Sequence, residues 1–344
     1  MKEYKNILVV RTDKIGDIVL TLPVAGILKK QFPGAKIIFL VQEYTKPLVE
    51  QCSDIDEVLS LKKEGSKILF SENIKMLKNH NFDLCITVSP KFKLALILKF
   101  AGIKTRIGTG YRWYSFLFNK KIYEHRKTAE RHELEYNARL LTPLDIKPEV
   151  SPESVEFNIQ TSKETDSKVK QLLLDKKIDL SKKRVIIHPG SGGSAVDWPQ
   201  TRFLELTRQM AQELDINILV TGLETEKSLC EKLVVSQNVY NLAGKFDLSE
   251  MISVIGFSEM MIANSTGPIH IAAAMKKITV GFYPKIRVCS KERWGPYTDK
   301  KFVFEPENCS IEHNRKLCEE NDCMRSINSE QVFEKIKNLL EGEK

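Results

Sequence analysis

Two successive α/β domains, each on a mostly parallel sheet, are what this 344-residue chain predicts. Three observations carry that. The length is about twice the usual domain size of roughly 150 residues. Short apolar runs alternate with segments whose apolar residues recur at helical spacing, the pattern of a parallel sheet covered on both faces. The same alternation then restarts after a polar, Lys-rich stretch from Ile146 to Leu180.

Ile7 to Arg11 reads as the first strand, Ile18 to Gln31 as a helix, Pro33-Gly34 as a turn and Lys36 to Val41 as the next strand, which makes a βαβ unit. Val58 to Leu61 and Phe82 to Val88 read as strands, Lys91 to Phe100 as a basic helix and Arg106 to Gly108 as another strand. Beyond the break, strands are expected at Arg184 to His188, Ile216 to Val220, Met260 to Ala263 and Ile278 to Phe282. Helices fall near Thr201 to Leu214, Glu224 to Leu233, Leu248 to Ile255 and Pro268 to Met275. The expected organisation is an N-terminal domain over 1–155, a linker over 156–180, a C-terminal domain over 181–325 and a closing helix over 326–344 able to pack on either domain. The cleft between two such domains is the default ligand site.

Composition narrows the function class. With 42% apolar and 28% charged residues the chain is an ordinary globular protein, which excludes disordered, collagen-like and disulfide-scaffold classes. Apolar runs such as Leu94 to Leu98 fall far short of the roughly 18 to 20 residues that span a bilayer. Met1 to Lys5 lead directly into the first strand without the features of a signal peptide, so a cytosolic protein is expected. Seven cysteines, an odd number, fit reduced thiols better than a disulfide framework. The net charge of +8 favours an anionic partner without naming it.

Three loops at strand ends could carry chemistry. Arg11-Thr12-Asp13-Lys14-Ile15-Gly16-Asp17 places two carboxylates where ligand loops leave a parallel strand, although Asp17 would equally serve as a helix cap. His188-Pro189-Gly190-Ser191-Gly192-Gly193-Ser194 would let backbone N–H groups approach phosphate oxygens, but it is neither a P-loop nor the dinucleotide fingerprint. Asn264-Ser265-Thr266-Gly267-Pro268-Ile269-His270 offers Ser265 or Thr266 as N-cap and Pro268 in the first turn, so the positive end of a helix would be presented to a diphosphate. A well-capped structural helix is the alternative. Asp54-Ile55-Asp56 reads as surface acids at a strand start. Cys309, His313, Cys318 and Cys323 are right for zinc or iron in type, but their Cys-x3-His-x4-Cys-x4-Cys spacing is unlike the tight Cys-x2-Cys knuckle and favours unliganded thiols.

Taken in order, Ile7 to Arg11 with Gly16 to Pro23, Arg131-His132-Glu133-Leu134-Glu135-Tyr136-Asn137, His188-Pro189-Gly190, Trp198-Pro199, Asn264 to Ala274 and Arg293-Trp294-Gly295-Pro296 resemble the glycosyltransferase family 9 heptosyltransferases. The resemblance implies a GT-B fold, two Rossmann-like domains facing each other across a cleft, with acceptor on the first and nucleotide sugar on the second. It implies inverting transfer of heptose from an ADP-activated donor to the inner core of lipopolysaccharide at the cytoplasmic face of the inner membrane, with no metal or other cofactor required. Asp17 takes the position of the family's base. Donor contacts fall on His188, Gly190, Ser191, Gly192, Ser194, Glu226, Ser265, Thr266, Gly267 and His270. A lysine common in the family is replaced by Val196, and Lys285 or Arg287 could supply the missing charge. Acceptor contacts are expected at Asp13, Lys14, Arg112, Lys120 and Lys121, in a basic region whose neighbours Trp113, Tyr114, Phe116 and Phe118 could rest on a membrane.

Alternatives are a relative that uses another nucleotide sugar or a protein acceptor, and, from a different class, a non-catalytic binder of nucleotide sugars or nucleic acid. No nucleic-acid module is evident.

Overall fold

The computed structural model describes residues 3–193 and 195–342. The chain divides into two compact units, the first formed by residues up to 126 with 133–160, the second by 127–132 with 161 onward.

The first unit carries β1 (Asn6–Val10), α1 (Ile15–Val19), α2 (Pro23–Gln31), β2 (Lys36–Val41), α3 (Lys46–Glu50), β3 (Glu57–Ser60), the small hairpin β4 (Lys63–Glu64) and β5 (Lys67–Ile68), α4 (Phe70–Asn79), β6 (Leu84–Thr87), α5 (Phe92–Phe100), β7 (Thr105–Thr109), β8 (Lys120–Ile122) and α6 (Glu133–Arg139). Its six-stranded sheet runs β3-β2-β1-β6-β7-β8, parallel throughout. Burial on both faces explains why β1 and β2 read as unbroken apolar runs rather than alternating ones. The single helix expected over 18–31 is two helices. Pro23 has no N–H to continue the ladder, so α1 stops at Val19 and Pro23 opens α2.

The second unit carries α7 (Lys163–Asp175), β9 (Lys183–His188), α8 (Gln200–Glu213), β10 (Ile216–Val220), α9 (Lys227–Glu231), β11 (Val239–Asn241), α10 (Leu248–Gly256), β12 (Met260–Asn264), α11 (Gly267–Ala274), β13 (Ile278–Phe282), α12 (Lys291–Trp294), β14 (Lys301–Phe304), α13 (Arg315–Glu320) and α14 (Ser329–Glu341). Its sheet repeats the order of the first, β11-β10-β9-β12-β13-β14, again all parallel. In both sheets the order reverses beside the first strand, between β1 and β6 and between β9 and β12. Ligands of doubly wound sheets bind in the crevice outside the strand ends at such a point.

One stretch differs from the sequence expectation, and for another the structure decides a choice the sequence left open. The supposed linker contains α7, capped by Ser162, which accepts a hydrogen bond from Thr165 N at 3.1 Å. Only Val169 and Leu173 are buried, so this helix shows one narrow apolar stripe on an otherwise charged segment; Ser253 donates to Asp166 (2.7 Å) to tie it to α10. The closing helix α14 packs on α8, and Val332, Phe333, Ile336 and Leu340 join the core of the second unit. Among the described residues no helix is long and apolar enough to cross a membrane.

Candidate active site

In the first unit, the loop leaving β1 is organised by Arg11. Its side chain is almost wholly buried and meets three carboxylates: Asp13 (3.0 Å), Glu133 (3.3 Å) and Asp17, to which Nη2 donates a hydrogen bond. Asp13 is also met by Lys91 (3.6 Å), from the loop after β6, so the two loops flanking the switch point are joined by charge. Glu133 is shared with Arg126, which also donates to Asn137 Oδ1 (2.9 Å); Asn137 Nδ2 donates to the Leu20 carbonyl (2.9 Å) and so holds α6 on the turn after α1.

Asp17 does not cap α1. The N-cap residue is Lys14, exposed and without a side-chain cap, and Asp17 sits in the first turn facing Arg11. Burial pushes its carboxyl above the ordinary aspartate range; Arg11 pulls the other way by less, and Asp13 and Glu133 add to the rise. A position in the first turn of a helix by itself favours the charged carboxylate, but burial wins. Burial also opposes the Arg11 charge, yet Asp17, Glu133 and Asp13 outweigh it and the guanidinium stays ionised. The arrangement is a partly solvent-reachable carboxylate of raised basicity, aimed by a fixed cation.

In the second unit, the loop after β9 and the loop after β12 flank the switch point. Asn264, at the end of β12, donates to the Pro189 carbonyl (2.6 Å) and accepts from Trp198 N (2.8 Å), which locks the glycine-rich loop to the head of α11. Gly192 and Gly193 both have left-handed φ angles, +55° and +75°, that a side chain would strain. Glu226 accepts from Leu223 N (2.8 Å) and, at the limit of hydrogen bonding, from Gly192 N (3.4 Å). It lies so close to Gly190 that a Cβ there would collide with its carboxylate. Ser191 Oγ accepts from Ala195 N (3.3 Å). Ser194 lies outside the described residues.

The helix α11 begins at Gly267 with Thr266 as N-cap, but no side chain caps it. Thr266 Oγ1 is buried with no hydrogen-bond partner among the described residues, and His270 Nδ1, one turn on, is likewise unpartnered. A helix N-terminus without a side-chain cap, a buried hydroxyl without a partner among the described residues and a glycine loop on the neighbouring strand together have the chemistry to receive an anion. His188 Nδ1 pairs with Thr221 Oγ1 at 2.9 Å. Burial drops both histidines to about 4, so each is a neutral imidazole.

The sequence-predicted residues divide. Val196 is buried in the apolar core of the second unit and brings no charge to the loop. Lys285 donates to the Glu307 carbonyl (3.3 Å) and Arg287 lies exposed on a short turn. The cation that reaches the glycine loop is Arg315, on α13, which donates to the carbonyls of Gly193 (2.9 Å) and Ala195 (2.8 Å). Nothing near Arg315 in the chain signals this, because the contact joins positions over a hundred residues apart. Arg11 stands in the sequence motif but is given no role there, because its contact with Glu133 joins distant positions. Asp197 was also passed over; desolvation in the loop raises its carboxyl to about 6, against the pull of Ser191 and Arg315.

On the first unit, Lys120 and Lys121 lie on edge strand β8, three strands from β1, and Lys120 Nζ donates to the Pro143 carbonyl. Arg112 and Lys121 are exposed. Of the four aromatics, Trp113 and Phe116 stand 73% and 64% exposed, whereas Tyr114 and Phe118 are buried in a small core with Ala95 and Leu117. Half of that expectation is therefore corrected, since Tyr114 and Phe118 turn inward with Ser115 and Leu117 while every third residue, Trp113 and Phe116, faces out. Asp54 and Asp56 are structural acids, bonded to Asn158 (2.8 Å) and to Lys29 and Ile37 N (2.6 Å each).

The irregular spacing of the cysteine cluster does not keep it apart. The sulfurs of Cys309, Cys318 and Cys323 all lie within 4.8 Å of one another, and His313 Nδ1 is 3.7 Å from both Cys309 and Cys323.

Residues 71–323 match the family model for glycosyltransferase family 9 (heptosyltransferase). The chain is 30% identical to the "Putative glycosyltransferase" of Haemophilus influenzae, over 88% of this chain and 89% of that protein. It is 24% identical to lipopolysaccharide heptosyltransferase 1 of Campylobacter coli, over 98% of this chain and all of that protein. Its fold is similar to that of the E. coli ADP-heptose lipopolysaccharide heptosyltransferase II, with a TM-score of 0.79 at 21% identity, over 98% and 99% of the two chains. The fold is GT-B, and the chain belongs to glycosyltransferase family 9, the heptosyltransferase family, as a glycosyltransferase.

Proposed function

We propose that this chain transfers a heptose from an ADP-activated donor to the inner core of lipopolysaccharide, with inversion at the anomeric carbon. The observation that carries this reading is the pair of phosphate-ready loops at the switch point of the second unit, Gly190 to Gly193 and the uncapped head of α11. The E. coli relative's name gives ADP-heptose as its donor, and the same class is proposed here.

Asp17 acts as general base. As the acceptor oxygen attacks the anomeric carbon, its proton passes to the Asp17 carboxylate and the bond from that carbon to the diphosphate oxygen breaks, leaving the electron pair on ADP. The N–H groups at the head of α11 and the Thr266 hydroxyl meet that charge. In this reading Glu226 accepts from the ribose hydroxyls and Ser265 approaches the sugar. These groups supply the transition-state charge without a catalytic cation. Lys14, Arg112 and Lys121 are proposed to meet the anionic groups of the acceptor and Asp13 its hydroxyls, and Trp113 and Phe116, with Arg112 adjoining them in the chain, to rest on the inner face of the inner membrane.

The test is a calorimetric screen of ADP-, GDP- and UDP-sugars, followed by transfer to heptose-deficient lipopolysaccharide with the anomeric configuration read by NMR. Preference for ADP-heptose and inverted product are expected; preference for a uracil or guanine nucleotide overturns the donor.

A further inference from the structure

The segment between Phe304 and Ser329 has, as far as Cys323, little apolar packing to hold it. Its only regular structure is α13, of six residues, and a single turn at Cys323–Ser326. Of its large apolar side chains, Ile311 and Leu317 are exposed, 52% and 39%, and only Met324 and Ile327, at its C-terminal end, join the core of the second unit. The residues that turn inward include Cys318 and Cys323, both buried, with Cys309 half-buried beside them. A segment with so small a core needs another constraint to keep one conformation.

We propose that Cys309, Cys318, Cys323 and His313 bind one tetrahedral thiophilic divalent cation, zinc by the ligand set, as a closed structural site. The geometry carries this. With metal–sulfur bonds of about 2.3 Å and metal–nitrogen bonds of about 2.0–2.1 Å, the edges of a tetrahedron are about 3.8 Å between sulfurs and about 3.6 Å from sulfur to nitrogen. Cys309 and Cys318 sulfurs stand 3.8 Å apart, and His313 Nδ1 stands 3.7 Å from Cys309 and 3.7 Å from Cys323. A disulfide needs about 2.05 Å, so none of the three is paired with another. Three thiolates and one imidazole fill four positions and leave none for substrate, which makes the role structural.

The site has a route to the rest of the second unit. Arg315, on α13 between His313 and Cys318, holds the Gly193 and Ala195 carbonyls, and Trp198 Nε1 donates to the Ile327 carbonyl (3.2 Å) just past Cys323. A cation fixing α13 therefore fixes the guanidinium that braces the glycine loop. This consequence rests on the reading of that loop as the donor site; the metal site itself does not.

The experiment begins with the full chain purified without chelator, its metal content measured by inductively coupled plasma mass spectrometry and its thiols counted by alkylation under denaturing conditions. About one equivalent of zinc or ferrous iron per chain, with all cysteines alkylated, is expected. A chain that carries none and takes up no zinc after reduction, or that holds a disulfide within the cluster, overturns the proposal. Cobalt substitution should give the thiolate charge-transfer and intense d–d bands of a tetrahedral site, and octahedral-type weak bands overturn it. Cys318→Ser and His313→Ala should lose the cation while Cys289→Ser, outside the cluster, keeps it; equal retention by all three overturns the ligand assignment. Arg315→Ala should keep the cation and raise the KM for donor with little change in kcat. If metal is bound but Arg315→Ala leaves ADP affinity untouched, the link to the loop fails and the metal site stands.

Discussion

Arg11 Nη2 donates a hydrogen bond to Asp17 Oδ1 inside a shell where Asp13 and Glu133 compete for the same guanidinium. Asp13 and Glu133 each have a second cation, Lys91 and Arg126. Asp17 relies on its share of Arg11, and with burial that leaves the carboxylate more basic than an ordinary aspartate. A general base gains efficiency as its pKa approaches the working pH.

Replacing Asp17 with asparagine keeps the shape and the hydrogen bond to Arg11 but removes the proton acceptor. Turnover should fall by about 10²–10⁴-fold. ADP affinity, measured by calorimetry, should not move, since the loops proposed to hold the nucleotide lie in the other unit. Unchanged turnover would remove Asp17 from its role.

The pH dependence follows from the sign of that shift. Asp17 must be deprotonated to act, so kcat should fall as pH drops through its raised pKa. Arg11 favours the charged carboxylate; Arg11→Gln removes that pull and should move the acidic limb of the rate profile to higher pH. The same substitution strands buried carboxylates and should cost about 3–5 kcal/mol of stability, so the profile is best recorded well below the melting temperature. An unmoved limb would mean another group titrates.

Thr266 separates a structural hydroxyl from a ligand-binding one. Its Oγ1 is buried and unpartnered among the described residues, so Thr266→Val removes no hydrogen bond from the free protein. Stability should be unchanged or slightly higher, while ADP affinity should drop by about 1–3 kcal/mol, the cost of losing one partner of a charged acceptor. Denaturant melts and calorimetry on one preparation read both.

His188 and His270 make the second unit acid-sensitive. Both are held near 4 against an ordinary 6.5, with burial the leading cause. The unfolded chain therefore binds protons first as pH falls, and the stability conferred by neutral imidazoles is present above pH 6.5 and lost between 6.5 and 4. Each site loses at most about 3 kcal/mol across that window. His270→Phe should flatten part of the decline in a pH series of urea melts, and an identical slope would show that the ring is not protonated on unfolding.

Trp113 and Phe116 project from the first unit, and replacing both with serine should leave folding intact because neither is in a core. Sedimentation with anionic phosphatidylglycerol vesicles should fall several-fold relative to the unaltered chain, as expected when two aromatic anchors of an interfacial patch are removed. Equal sedimentation would assign these rings to another surface role.

Much of this protein was determined by local sequence. Strand β2 and strand β13 lie where their apolar runs put them, because buried parallel strands write their position as unbroken hydrophobicity. The ordered motifs around Gly16-Asp17, Gly190 and Thr266-Gly267 were legible because turns and helix starts demand particular residues at fixed offsets. Tertiary structure alone decided which charge meets which: that Asp17 faces Arg11 instead of capping α1, that Arg315 braces a loop over a hundred residues earlier, and that cysteines with no recognisable spacing converge on one histidine. Spacing reports only neighbours along a helix or strand, whereas burial, pairing and ligand geometry arise when distant segments pack.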